Sequence, residues 1–521
     1  MKRIATLILL TLICVMGYAQ TIDMALEKEM GQRLDDEKIN VFVIMKQQYD
    51  QEKLSRRADG FTTRAERREF VVNELKQFAE ASQYDIRQSL AEMEGNDMVS
   101  ASRVLWMANA ICFSANKQAI YTLARRKDVE TIGFDKRVLM VPEDEAPRPA
   151  ETTRDITPNV TQVKADQVWN MGYSGQGIVV AVIDGGVNYN HLDLKNHLWD
   201  GGEAFPNHGW DFEGNDDDPM DYDGHGTHCS GTVCGDGSAG RQTGMAPDAT
   251  LMCLKVLDEE GYGLITNACA AVQFATEHGA DIFSMSLGWW DQSAADVTLT
   301  RNTCVAAMNA GVIGAVAAGN EGNKLNTYPI PNNVRLPGSC PPPYMDPVQQ
   351  ANPGGLSCVV CVGNVDNMDV ANPTTSQGPV TWANTSFADY PYVVGSSTQF
   401  GLIRPDVCGP GTEIVSADYL NTSGYGTKTG TSMATPCVAG CMALMLSKNP
   451  NLTPSDICRI LEETAVPLAE GKSNIYGFGR VNALAAVNAV PSQLRYYRLN
   501  PMSSTMNMAT MTNTPTQANR L

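Results

Sequence analysis

From residue 178 to residue 447 short apolar runs alternate with longer helical stretches, and this alternation restricts the fold more than any other feature of the chain. The apolar runs are 178–183, 250–257, 282–287, 312–317 and 358–362, rich in Val, Ile and Ala. Helical patterns at 264–278, 294–310 and 432–447 fall between or after them. A strand that reads as one continuous apolar segment is buried on both faces, and a helix-bearing connection returns the chain to a parallel neighbour. The expected fold class is therefore α/β, a three-layer, mostly parallel sheet with helices on both faces. In such sheets ligands bind beyond the carboxyl ends of the strands, so the residues after each apolar run are the first to read for chemistry.

The alternation is preceded by a segment of different composition. Residues 143–158 carry Pro, Glu and Thr without apolar periodicity and read as an exposed linker. Ahead of it, 39–45 and 104–115 read as strands, 64–81 as a charged amphipathic helix, 117–126 as a second helix and 138–141 as a short end strand. These make a small α+β unit within residues 20–142. Arg64, Arg67 and Arg68 read as a solvated face of the 64–81 helix. After the linker, residues 159–491 form one large α/β domain, a size that a single domain can reach. The tail 492–521, rich in Met, Thr and Asn without periodicity, reads as flexible.

At the start of the chain Lys2 and Arg3 precede an apolar run from Ile4 to Met16 that ends in Gly17-Tyr18-Ala19. A basic start, a short apolar core and a small-x-small end read as a secretory signal peptide, residues 1–19. The run is shorter than the roughly 20 residues that cross a bilayer, so no membrane span is expected. Export to the periplasm or beyond follows, into compartments that permit disulfides. Fourteen cysteines less Cys14 leave thirteen, and those inside expected elements (Cys253, Cys269, Cys304, Cys437, Cys441) read as buried free thiols. Cys358 and Cys361, three apart on an expected strand, point to opposite faces and do not read as half a metal site. With 58 acidic against 39 basic residues the net charge is −19, which repels nucleic acid and anionic lipid.

Four segments carry chemistry. Asp184 ends the first apolar run of the α/β part, where a carboxylate can orient an imidazole. In Asp223-Gly-His-Gly-Thr-His, His225 stands between glycines that permit close approach, and a helix follows. His228, three residues on, reads as a structural histidine. In Gly430-Thr-Ser-Met-Ala-Thr-Pro, Ser432 starts a helix with Pro436 in its first turn, so its hydroxyl lies beside free backbone N–H groups suited to an oxyanion. Ala317-Ala318-Gly319-Asn320 ends another strand, and the Asn320 amide can donate to the same oxyanion.

In the order Asp, His, Asn, Ser these segments resemble the subtilisin-like serine proteases, the subtilase family S8. The resemblance runs from about residue 163 to 490 and includes Gly244-Met-Ala-Pro-Asp, Ser286-Leu-Gly288 and Gly477-Phe-Gly-Arg-Val-Asn. It implies Ser432 as nucleophile, His225 as general base and then acid, Asp184 as the group that fixes the imidazole, and Asn320 with the Ser432 N–H as oxyanion hole. It implies that Ser286, Leu287 and Gly288, with Ala317, Ala318 and Gly319, bind extended substrate and wall the primary pocket. The unit 20–142 resembles the family's inhibitor propeptide, a folding aid removed by self-cleavage. Departures are Cys437 where a His is usual, Gly185 after Asp184 where Thr is usual, and a Pro-rich insertion at Pro337-Gly-Ser-Cys-Pro-Pro-Pro that reshapes the pocket or primed side.

The implied activity is that of a secreted serine endopeptidase made as a self-processed zymogen, acting on protein or peptide substrates and on its own propeptide. A non-catalytic binding protein and an acyl transferase are the alternatives. The chemistry requires no cofactor. Asp211, Glu213, Asp216, Asp217, Asp218, Asp221 and Asp223 crowd one loop before His225, and family members bind calcium in the matching region, so Asp216, Asp218, Asp221 and Asp223 are candidate ligands for a structural ion. A solvated acidic loop is the other reading, and Asp193 with the 236–238 loop is a lesser candidate.

Overall fold

The computed structural model describes residues 21–141, 148–150, 154–290, 293–343, 351–355, 357–382, 385, 387, 393–394 and 399–491. The expected leader and tail, and residues 143–147 and 151–153 of the linker, lie outside these residues. Seven strands form a parallel sheet in the spatial order Val407–Pro410, Val360–Val365, Ile313–Ala317, Ile282–Met285, Val179–Asp184, Thr250–Lys255, Gly209–Asp211. Five of them are the expected apolar runs with shifted ends. From Val179–Asp184 the chain goes to one side of the sheet, then crosses to the other side at Ile282–Met285. The order thus reverses between these two strands, and a crevice forms at such a switch point. Asp184 and the residues after Met285 open into it.

Alternate residues of the central strand feed different cores. Val180 and Val182 pack with helices His225–Cys234 and Thr431–Lys448, whereas Ala181 and Ile183 pack with Ile265–Glu277 and Ala294–Asn309. The sheet is therefore covered on both faces, the three-layer α/β arrangement expected. Cysteines fill both cores as small apolar groups; all thirteen from Cys112 onward are buried free thiols. Cys361 lies in its strand, while Cys358 precedes it. Among the described residues no helix is long and apolar enough to cross a membrane.

Residues 21–141 carry their own antiparallel sheet, ordered Val99–Leu105, Ala110–Ala115, Ile39–Met45, Val129–Phe134. The expected single strand at 104–115 is two strands joined by a turn at Trp106-Met107-Ala108-Asn109. Asn109 sits at φ 44°, and the turn's first three residues are buried, so an apolar turn resembled strand. Val41, Val43 and Met45 face a core internal to this unit. Phe42 and Ile44 face a core shared with helices Ile265–Glu277 and Ala294–Asn309.

The arginine face of helix Arg64–Ser82 is not solvated. Arg64 and Arg67 are each 6% exposed, docked on the larger unit. Arg64 Nη2 donates to Gly311 O (3.0 Å) and Asp281 O (3.1 Å), Arg67 Nε to Asn309 O (2.7 Å), and Arg68 Nη2 to the Asp281 carboxylate (2.9 Å). The carbonyls at 309 and 311 end helix Ala294–Asn309, where free acceptors and the helix dipole both attract cations. A charged helix face therefore marks an interface, with partners more than 200 residues away in sequence.

Candidate active site

Asp184 is fully buried at the end of the central strand, and a buried carboxylate needs hydrogen-bond donors. Its Oδ1 accepts from Gly185 N and lies 2.7 Å from His225 Nδ1. His225 starts the helix His225–Cys234, and both flanking glycines are required. Gly224 is at φ 90°, and a Cβ there would enter the Tyr419 ring at 2.3 Å; a Cβ on Gly226 would lie 1.9 Å from Gly186 O. Burial alone would lower the His225 pKa, but the Asp184 carboxylate, with Cys229, overrides it and holds the imidazole well above its ordinary value. His228 is different. Its Nε2 lies 3.0 and 3.1 Å from Ile414 O and Gly426 O, and burial takes its pKa down to about 3, so it is a neutral structural group.

The acidic loop before His225 caps the same helix. Asp221, 3% exposed, accepts from Asp223 N and Gly224 N through Oδ1 and from Thr227 N and Oγ1 through Oδ2. Asp223 Oδ1 accepts from His225 N. These carboxylates occupy a helix N-terminus, where unpaired N–H groups demand acceptors. Asp216 accepts from Asp218 N, and Asp218 from Tyr189 OH. Each candidate calcium ligand thus accepts a hydrogen bond from within the protein. Among the described residues the one set of three metal-capable groups with ligand atoms within 4.8 Å of each other is Asp184, His225 and Cys229. Asp216, Asp218, Asp221 and Asp223 do not form such a set, and Asp193 is held by Ala239 N and Tyr425 OH.

Helix Thr431–Lys448 begins one residue before Ser432, and Pro436 stands inside it, in the second turn instead of the first. Proline has no N–H for the carbonyl four residues back, which here belongs to Ser432. Ser286 Oγ donates to that carbonyl at 2.8 Å, Cys229 Sγ approaches it at 3.5 Å, and Ser432 Oγ donates back to Ser286 O at 3.0 Å. His225 Nε2 is buried without a hydrogen-bond partner. In this state the Ser432 hydroxyl rests on the Ser286 carbonyl. Asn320 Oδ1 accepts from Thr431 N (2.9 Å) and Thr431 Oγ1 (3.0 Å), which fixes the amide with its NH2 the other way. A Cβ on Gly430 would lie 3.1 Å from that Nδ2. The crevice thus gathers Asp184, His225, Asn320, Ser432 and Ser286.

The comparisons with known proteins agree with this layout. Residues 175–479 match the model of the subtilase family. The chain belongs to the subtilase family. Relatives of this subtilase include the serine protease AprX of Bacillus subtilis strain 168, 33% identical over 61% of this chain and 67% of that protein. Subtilisin NAT of Bacillus subtilis subsp. natto is 31% identical over 69% of this chain and 78% of that one. The protein is a serine-type endopeptidase, a hydrolase of peptide bonds.

Of the expected substrate segments, Gly288 N donates to Met140 O (3.1 Å), and Met140 N to Gly261 O (2.9 Å). Arg137–Leu139 pairs antiparallel with Tyr262–Leu264. An extended stretch of this subtilase thus lies between Gly288 and the 261–264 edge. The Ala318 and Gly319 carbonyls accept from Arg335 N and Ser376 N, so this wall is tied into the protein. Leu336 pairs with Trp289, which puts the start of the Pro-rich insertion beside Gly288. Sequence reading missed Thr431, Glu321, whose Oε2 accepts from Asn320 N (2.8 Å), and the side-chain role of Ser286. Only the last had a signal: Pro436, four residues after Ser432, announces a carbonyl without its helical donor.

Proposed function

We propose that this subtilase works through a Ser432–His225–Asp184 triad and is made as an exported zymogen that processes itself. In this reading Ser432 Oγ attacks the scissile carbonyl carbon while His225 Nε2 takes the hydroxyl proton. Asp184 holds Nδ1–H and stabilises the imidazolium. The oxyanion is met by Asn320 Nδ2 and the Ser432 N–H, His225 returns the proton to the leaving amine, and water repeats the sequence on the acyl-enzyme. The observation that carries the reading is the buried 2.7 Å contact between Asp184 and His225 in the crevice that also holds Ser432 and Asn320. No step is assigned to a cofactor or to calcium.

Residues 20–142 serve as propeptide, 143–158 as the segment to be cut, and 159–491 as the catalytic domain. Support comes from the docking of Arg64, Arg67 and Arg68 and from the run 137–141, held between Gly288 and the 261–264 edge. The leader 1–19 supports export.

A fluorophosphonate probe and the Ser432→Ala variant test this together. The wild type is expected to label and to hydrolyse peptides. Ser432→Ala should lose labelling, lose turnover by about 10⁶, and accumulate as an uncut precursor. A purified Ser432→Ala protein, expressed alone, that still matures would remove self-processing.

A further inference from the structure

We propose that Arg335 is a substrate-binding residue, one that clamps a main-chain carbonyl of the peptide lying between Gly288 and the Tyr262–Leu264 edge. The proposal rests on the protease reading above, with residues 137–141 taking the place of substrate. Arg335 is 5% exposed, and a buried guanidinium must place its donors and balance its charge. Nε and Nη2 donate to Glu321 Oε1 at 3.2 and 2.6 Å. Glu321 is 1% exposed, and its other oxygen accepts from Asn320 N and Ser376 Oγ, so the counter-charge is fixed. The remaining nitrogen, Nη1, donates to Gly288 O and Met140 O, both at 2.9 Å, and approaches Leu139 O at 3.4 Å.

Met140 O therefore receives two donors, Gly288 N and Arg335 Nη1, where strand addition alone supplies one. Two further contacts build Arg335 into both walls, and Tyr328 backs one of them. Its backbone N donates to Ala318 O, its guanidinium lies 5.5 Å from the Trp290 ring centre, and Trp290 stacks on Tyr328. Its stem occupies the space beside Gly288, where a Cβ would lie 2.8 Å from Arg335 Cβ. Of the three acceptors of Nη1, Gly288 O belongs to the wall and the other two to residues 139 and 140, so when that run leaves, Gly288 O keeps Nη1 in place and an incoming carbonyl takes the donor it gave to Met140 O. A main-chain contact is blind to sequence. The clamp thus gives affinity to any extended peptide long enough to reach it.

The test uses the purified protein as expressed and two internally quenched peptides that begin with the sequence 136–141. One is a normal peptide; in the other an (E)-alkene replaces the Met140–Val141 amide and removes the carbonyl. With wild type the alkene should lower kcat/KM at least tenfold, mostly through KM. In Arg335→Met this penalty should shrink by about tenfold, a coupling of ~1.4 kcal/mol. The preference for the normal peptide over a single-residue ester, which presents only the scissile carbonyl, should fall by a similar factor. Arg335→Met/Glu321→Gln, which leaves no unpaired buried carboxylate, should behave alike. An alkene penalty below twofold in wild type, or the same penalty in wild type and variants, overturns the clamp alone. A wild type that cleaves neither peptide nor ester overturns the protease reading and the clamp with it.

Discussion

The acidic loop 211–223 and the arginine face 64–68 are opposite in charge and alike in use. Asp221 and Asp223 of the loop close the N-terminus of the helix that carries His225; Arg64 and Arg67 close the carbonyl end of helix Ala294–Asn309. Both follow from helix electrostatics, with anions at N–H ends and cations at C=O ends. They differ in reach. Asp221 serves residues two to six positions away, whereas Arg67 serves Asn309, 242 residues away. A local cap assembles with its helix, but a remote one forms only when two folded units meet. Losing the loop should therefore disturb the site from within, and losing the arginines should free one unit from the other.

The largest expected effect is on the remote side. In full-length protein carrying Ser432→Ala, to keep the chain uncut, Arg64→Ala/Arg67→Ala removes several charge-assisted hydrogen bonds and leaves buried carbonyls without donors. At ~1.5–3 kcal/mol for such bonds, docking should weaken by about 4 kcal/mol. Native-state hydrogen exchange should show protection of helix Arg64–Ser82 falling by about 10³. A change under threefold would mean that the apolar face of Phe42 and Ile44 suffices and that the arginines are ornamental.

The local side comes next. Asp221→Ala leaves three backbone N–H groups and the Thr227 hydroxyl short of their acceptor, for a loss of about 3 kcal/mol in thermal or denaturant unfolding. Because the cap positions His225, kcat should fall with little change in KM. A variant of unchanged kcat would show that Asp184 and the packed glycines hold the imidazole without help from the loop.

The same contrast of reach explains what the sequence made legible. The parallel sheet was readable because its strands are buried on both faces and so spell continuous apolar runs. Asp184, His225, Asn320 and Ser432, which the structure gathers in one crevice, stood out in the sequence because each sits in a short segment of unusual composition at a strand or helix end. Illegible were the features that exist only across distance. Arg64 and Arg67 look like any charged helix face until helix Ala294–Asn309 is beside them. Arg335 and Glu321 are fourteen residues apart and become a pair only when the loop folds back under Asn320. The turn at 106–109 failed for the opposite reason: its burial in a shared core made a turn look like a strand.

The smallest expected effect belongs to a remote contact of opposite sign, Asp135. It is buried against the start of helix Ile265–Glu277, where Thr266 N and Thr266 Oγ1 donate to its carboxyl group. Burial raises its pKa, against the opposing pull of the Thr266 hydrogen bonds and the nearby Arg103, from 3.8 to about 6. A carboxyl whose pKa is higher in the docked state than in the free state binds protons on docking. Its contribution is therefore most favourable below about pH 4, and it is lost as pH rises through about 6, after which it stays constant. Asp135→Asn, which carries no charge to bury, should remove that slope. In the Ser432→Ala background, the difference in stability between variant and parent should grow by about 2 kcal/mol between pH 4 and pH 7, with the variant the more stable at neutral pH. Equal stability curves for the two proteins across that range would mean that the carboxylate keeps its charge when docked, stabilised by Thr266 and Arg103 more strongly than burial penalises it.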